Sequence, residues 1–278
     1  MSRRKIENKI KCIWFYMVSC LIAVIVLIPF LWMLSTSLKN KGALMQLPVQ
    51  WIPENPTLDA YAKVFSRFPF FRAILNSFFI TIAYTVITIL SSSMAAFAFT
   101  KIKFPYADAV FKLYLASMMI PTQVTMIPLF VVMNRLGLIN TYPSVILPSL
   151  FRAFAVFMLV QQMRGIPNDY MEAAELDGAS LFRIYRTVIL PLSKSSIATL
   201  TVTTFMESWN DYLWPLLMLN DKNKMTLTLA LNSLNGQYGT EYNLLMAGSL
   251  ISMIPIIIVY ICAQKYFKEG LMAGGVKG

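Results

Sequence analysis

The sequence predicts an all-α membrane protein that crosses the bilayer six times, and three observations carry that prediction. Of 278 residues, 57% are hydrophobic and only 13% are charged, whereas a soluble globular domain needs about 25% charged residues to cover its surface. Apolar runs of roughly 20 residues recur along the chain, the length of helix that ~30 Å of hydrocarbon requires. Lysine and arginine are scattered at the ends of these runs rather than forming one stripe, and the ends are where a bilayer tolerates them.

The first run, 13–34, follows the basic start MSRRKIENKIK. It is about twice as long as a signal-peptide core, and no small-residue cleavage site follows it, so it reads as a retained anchor. Further spans are expected at about 73–99, 108–133, 142–161, 195–219 and 243–263. Pro29, Pro121, Pro128, Pro148, Pro215 and Pro255 interrupt or flank them. Each proline removes a backbone donor and kinks a span, which packed neighbours can absorb. No soluble domain fits between the runs, so residues 1–278 are expected to form one membrane domain.

The net charge of +11 invites a nucleic-acid reading. A nucleic-acid surface gathers its cations into a stripe, and here they are scattered among the span ends, so no nucleic-acid partner is expected. With the N-terminus inside, the cytoplasmic segments hold fourteen Lys and Arg against eight outside, counting those beyond the spans. That bias puts both termini in the cytoplasm. The chain has no histidine, and Cys12, Cys20 and Cys262 show no paired spacing, so neither a metal site nor a disulfide framework is expected.

One segment breaks the apolar pattern. Residues 170–192 read YMEAAELDGASLFRIYRTVILPL, inside an inner loop at 164–192. Asp169 with Glu172 three residues on resembles a capping box, which would start a helix just after Pro167. Gly178 suits the left-handed stop, and Ser180 can cap a second helix leading to Leu190-Pro191. An amphipathic helix resting on lipid headgroups would carry lysine and arginine. This one carries Asp169, Glu172, Glu175 and Asp177 instead, which anionic lipid repels, and Ala173 and Ala174 leave a bare surface for a partner's groove. Protein docking is the favoured reading.

These residues resemble the cytoplasmic signature of ABC importer permeases: E-A-A, three residues, G, nine residues, I, one residue, L-P. Glu172, Ala173, Ala174, Gly178, Leu190 and Pro191 match it, and Val188 stands at the isoleucine position. MIPTQVTMIPLF at 119–130, LGLINTYPSVILP at 136–148, SWNDYLWPLL at 208–217 and the tail KYFKEGLMAGGVKG at 265–278 are similar to the maltose-type carbohydrate permeases. The resemblance implies a type I importer permease in which the loop bearing Glu172, Ala173, Ala174, Asp177 and Gly178, with Leu190 and Pro191, is the coupling helix. It implies a heterodimer with a second permease, two ATP-hydrolysing subunits, an extracytoplasmic sugar-binding protein, and a place in a bacterial or archaeal cytoplasmic membrane. The tail residues Gly274, Gly275 and Lys277 would also meet the ATPase.

The residues agree that the motor lies elsewhere. Gly270 and Gly275 have the spacing of a phosphate loop, but Val276 stands where its lysine belongs. No constellation suggests covalent catalysis, so ATP and Mg are expected in partner subunits and this chain is not expected to be an enzyme.

Inside the fifth span, Glu207, Asn210, Asp211 and Trp214 recur at the spacing of one helical face. A charge near the midplane costs roughly 2.5–3.5 kcal/mol on insertion scales, so this face should look inward. It either lines a sugar path, with Gln123 as a further candidate, or only bonds neighbouring helices, as Gln123, Asn76 or Arg152 could. Arg152 either snorkels or partners one of these carboxylates. The outer loop 221–242 has the side and size to meet a binding protein. Two rivals remain: a secondary transporter, which predicts an internal repeat that is not evident, and a membrane scaffold, which leaves the charged face without a purpose.

Overall fold

The computed structural model describes residues 3–42, 50–67, 69–236 and 239–275. It is all-helical apart from a two-residue antiparallel pair in which Asn235 meets Thr240 and Gly236 meets Gly239. Four helices are long and apolar enough to cross a membrane, and up to six segments qualify if two bent helix pairs each count as one. The chain groups into two compact units, one from 1–68 with 231–253, the other from 69–230 with 254–278.

In the first unit, α1 (Arg3–Ser37) runs unbroken through Pro29. Its candidate span, Lys11–Ser37, buries none of its most apolar window in the protein, so its surface is matched to lipid or to another chain. At its end Lys39 is buried. Its ammonium lies over the Trp32 ring at 4.5 Å and donates to the Gln50 carbonyl, which supplies what a buried cation needs. The short α2 (Asp59–Arg67) returns Tyr61 to within 2.9 Å of the Ser37 hydroxyl. Here too Lys41 pairs with Glu241 at 3.1 Å.

The second unit is built around α3 (Phe70–Lys101). The helix has no internal proline, and it ends at Lys101, after which Ile102 is extended at φ −107, ψ 127. Ser77, Thr81, Thr85, Thr88, Ser92 and Ser93 are buried along it, and small side chains of this kind let neighbouring backbones approach closely in a membrane. Beyond it, α4 (Ala107–Ser117) and α5 (Thr122–Arg135) meet at 101° across a break that ends in Pro121. The third span, expected at 108–133 with Pro121 and Pro128 as kinks, is a bent pair with Pro121 at the cap of its second half.

Next come α6 (Tyr142–Ile146), a 3-10 turn over Leu147–Phe151, and α7 (Ala153–Arg164), with Arg152 extended between the turn and α7. A short α8 (Asp169–Leu176) follows. Then α9 (Leu181–Ile184) continues through a π turn (Tyr185–Ile189) into α10 (Leu190–Leu192). This composite helix meets α11 (Lys194–Asn210) at 79° across Ser193. The remaining helices are α12 (Leu213–Met218), α13 (Leu227–Ser233) and α14 (Tyr242–Gly275).

Two apolar clusters hold the second unit. One joins Phe97, Phe111, Leu159, Met163, Ile184, Tyr185, Ile189 and Leu200, from α3, α4, α7, the α9–α10 segment and α11. The other joins Ile80, Met133, Val145, Met218 and Leu229.

Candidate functional sites: the acidic loop and the ion pair between helices

The loop expected at 164–192 is two short helices, as its turn residues require. Gly178 takes φ +74, the left-handed value that glycine adopts freely. Behind it the Ser180 hydroxyl accepts from the Arg183 amide at 3.4 Å, a cap for α9. The expected capping box at Asp169 does not form. Asn168 is the cap residue without a side-chain cap bond. Its Oδ1 instead accepts from Lys101 Nζ at 2.9 Å, while the same ammonium donates to the Ile166 carbonyl at 2.6 Å. A lysine from the end of α3 thus satisfies the loop ahead of α8 in place of a local box.

The two helices differ in burial. No residue of α8 is buried; Leu176 is 89% exposed and Tyr170 is 53% exposed. By contrast Ile184, Tyr185 and Ile189 lie in the core cluster. Glu172, Ala173, Asp177, Gly178 and Pro191 are exposed, and Ala174 and Leu190 are half-buried. Glu172 and Glu175 also line a cavity of about 400 Å³ with Lys101, Lys103 and Asn168. The arrangement is an acidic, partly apolar face on a rigid mount, suited to a protein groove.

The second site lies between α3, α7 and α11. The Glu207 carboxylate accepts from Arg152 Nη2 through both oxygens. Arg152 also lies 5.9 Å from the Tyr84 ring centre. The arginine side chain is 28% exposed and the glutamate side chain 52%, so the pair opens onto the surface of this chain. Arg152 therefore partners a carboxylate, one of the two roles the sequence left open. Both charges sit at unfavourable helix ends, a cation ahead of α7 and an anion in the last turn of α11, so each offsets the other's dipole penalty. Asp211 lies within electrostatic reach of both.

The single face expected for Glu207, Asn210, Asp211 and Trp214 is divided. The helix α11 ends at Asn210, and Asp211 is extended at φ −66, ψ 128. Asn210 Nδ2 donates back to the Met206 carbonyl at 2.8 Å. Asp211 Oδ1 accepts from the Trp214 amide at 3.4 Å, helping to start α12. The Trp214 indole donates to the Ser144 carbonyl at 3.0 Å, into the wall. Gln123 is exposed at the start of α5 beside Thr122 and makes no hydrogen bond to this cluster. Glu207 and Asn210 remain exposed neighbours. Sequence reasoning missed Tyr84; its position in an apolar run was the only signal.

Gly274 and Gly275 close α14, and Lys277 lies outside the described residues. Among the described residues no group of three or more His, Cys, Asp or Glu could hold a metal ion.

Residues 87–272 match the family model described as the binding-protein-dependent transport system inner membrane component. The chain is 36% identical over 260 residues to the arabinooligosaccharides transport system permease protein AraQ of Halalkalibacterium halodurans, covering 92% of this chain and 93% of that protein. It is 30% identical over 262 residues to the lactose transport system permease protein LacG of Rhizobium radiobacter, covering 94% and 95%. A crystal structure of a bacterial ABC transporter involved in import of the acidic polysaccharide alginate contains a chain that superposes with a TM-score of 0.82 at 25% identity, covering 96% and 99%. A family model matched over residues 87–272 and relatives matched over nearly their whole length agree: the chain belongs to the binding-protein-dependent transport system inner membrane components, as a membrane-embedded permease subunit of an ABC importer.

Proposed function

We propose that this permease subunit passes a sugar or oligosaccharide across a bacterial or archaeal cytoplasmic membrane. The named relatives transport arabinooligosaccharides and lactose, and the open Arg152–Glu207 pair with Asn210 offers hydroxyl-binding groups at a helix break. A second, similar permease covers that face. Two ATPase subunits, which bind the ATP and Mg, dock on α8 from the cytoplasm, where both termini of this chain also lie. The tail around Gly274, Gly275 and Lys277 gives them a further contact, and a sugar-binding protein delivers the cargo outside.

The observation that carries the reading is the contrast in the loop: α8 has no buried residue while the segment after it is locked into the core. A docking face must be free, and the element that receives force must be anchored. ATP-driven closure of the ATPases would displace α8 and rock the spans between outward- and inward-open states. The test is copurification and ATP-dependent uptake with Glu172→Lys and Gly178→Val. Both should strip the ATPase or abolish uptake at normal expression; intact uptake in both would refute docking at α8.

A further inference from the structure

From the contacts of the α9–α10 segment, we infer that Tyr185 and Ser93 form a brace that passes displacement of the docking loop to α3; this rests on the docking proposed above. Tyr185 is the first residue of the π turn, 6% exposed, with its hydroxyl 2.7 Å from Ser93 Oγ, which is itself fully buried on α3. Ser93 Oγ also donates to the Leu90 carbonyl at 3.2 Å, so the tyrosine O–H is the donor between the two. The Tyr185 ring packs on Phe97 of the same helix at 5.4 Å. One side chain from the loop is therefore held on α3 by a buried hydrogen bond and a ring contact.

The backbone explains why Tyr185 points there. Pro191 has no amide hydrogen to give the preceding turn. Thr187 Oγ1 takes up the Arg183 carbonyl at 2.7 Å, a back-bond that bends helices. The Leu190 amide then bonds the Tyr185 carbonyl five residues back, the register of a π bulge. The Leu190-Pro191 pair of the signature thus acts locally, by widening the turn that aims Tyr185 at Ser93. The Lys101 bonds to Ile166 and Asn168 tie the other side of the loop to the same helix. Nine residues before Ser93, α3 carries Tyr84, against which Arg152 rests. Displacement handed to α3 thus reaches the helix that supports the ion pair.

Tyr185 and Ser93 are positioning residues, and the test needs a readout that a merely structural role would not move. The complete importer, with Cys12, Cys20 and Cys262 replaced by serine, receives spin labels at Leu176→Cys on α8 and Phe79→Cys on α3. Label distances are measured before and after trapping with ATP and vanadate, and the ATPase retained is measured on the same samples. In the braced protein the two labels move together, so trapping leaves their distance distribution unchanged. Tyr185→Phe and Ser93→Ala should each broaden the trapped distribution by about twofold with the ATPase still bound. The double variant should broaden it no further, because one shared bond is lost, and Ser93→Thr should retain the narrow distribution. Unchanged distributions in both single variants, or additive broadening in the double, would overturn the brace. An ATPase that stays bound when Glu172→Lys is introduced would instead overturn the docking beneath it.

Discussion

Removing either partner of the Arg152–Glu207 pair should destabilise the protein, and the two losses should be unequal. Wild type sets one cation, Arg152, against two carboxylates, Glu207 and Asp211. Arg152→Ala leaves both carboxylates without a cation, whereas Glu207→Ala leaves Arg152 with Asp211 in electrostatic reach. A contact pair is worth about 4 kcal/mol at an effective dielectric near 20. The Glu207 side chain is 52% exposed, so solvent screening reduces that to about 2 kcal/mol. Arg152→Ala forfeits this, and with the lost contact to Tyr84 costs about 2–3 kcal/mol. Glu207→Ala forfeits the same attraction but relieves repulsion on Asp211, so about 1 kcal/mol remains.

Burial alone predicts the opposite order, because the arginine left behind is the less exposed group. Charge balance should win, since Asp211 is already at hand. Denaturant titration of the purified protein in lipid nanodiscs reads both values, and the double alanine variant should cost less than their sum by more than about 1 kcal/mol. Additive losses, or Glu207→Ala costing more than Arg152→Ala, would refute the reasoning.

Three further outcomes follow from the same contacts. At Gly178 an added Cβ meets nothing within 4 Å, so only its φ of +74 constrains it. Gly178→Asn should therefore keep ATP-dependent uptake while Gly178→Val loses most of it, since only the asparagine tolerates the left-handed region. Asn140, at φ +62, accepts through Oδ1 from the amides of Asn220 and Asp221 and through its carbonyl from Lys224. Asn140→Gly keeps the backbone and removes the acceptor, so it should cost about 1–3 kcal/mol and raise hydrogen exchange at 219–225; unchanged exchange would discount that anchor. Lys101→Met deletes both bonds to the loop ahead of α8. It should speed exchange at 166–172 with little loss of global stability, which peptide-resolved exchange mass spectrometry checks.

The long apolar helices could be read from the sequence because hydrocarbon thickness sets their length and composition. The turn at Gly178 and the cap at Ser180 could be read because each rests on one residue's own conformational preference. What escaped depended on distant partners. Asn168 loses its capping role to Lys101, 67 positions away, and no local pattern announces that. The periodicity from Glu207 to Trp214 assumed a continuous helix, yet Asp211 turns its carboxylate to the Trp214 amide and ends it. An aspartate four residues before Pro215 was the available sign of a new helix start. The bend at Pro121 was visible as a proline, but its 101° angle was not, because packing rather than the ring decides how far a span turns. Arg152 could be paired only once α7 and α11 were side by side.

The central claim, that exposed α8 receives the ATPase, is tested most directly by photo-crosslinking from its most exposed large side chain. A benzophenone amino acid replaces Leu176, which is 89% exposed, in the importer purified with all of its subunits. Irradiation should give an adduct between this chain and the ATPase subunit. Adducts with lipid alone, while the ATPase remains in the complex, would contradict it.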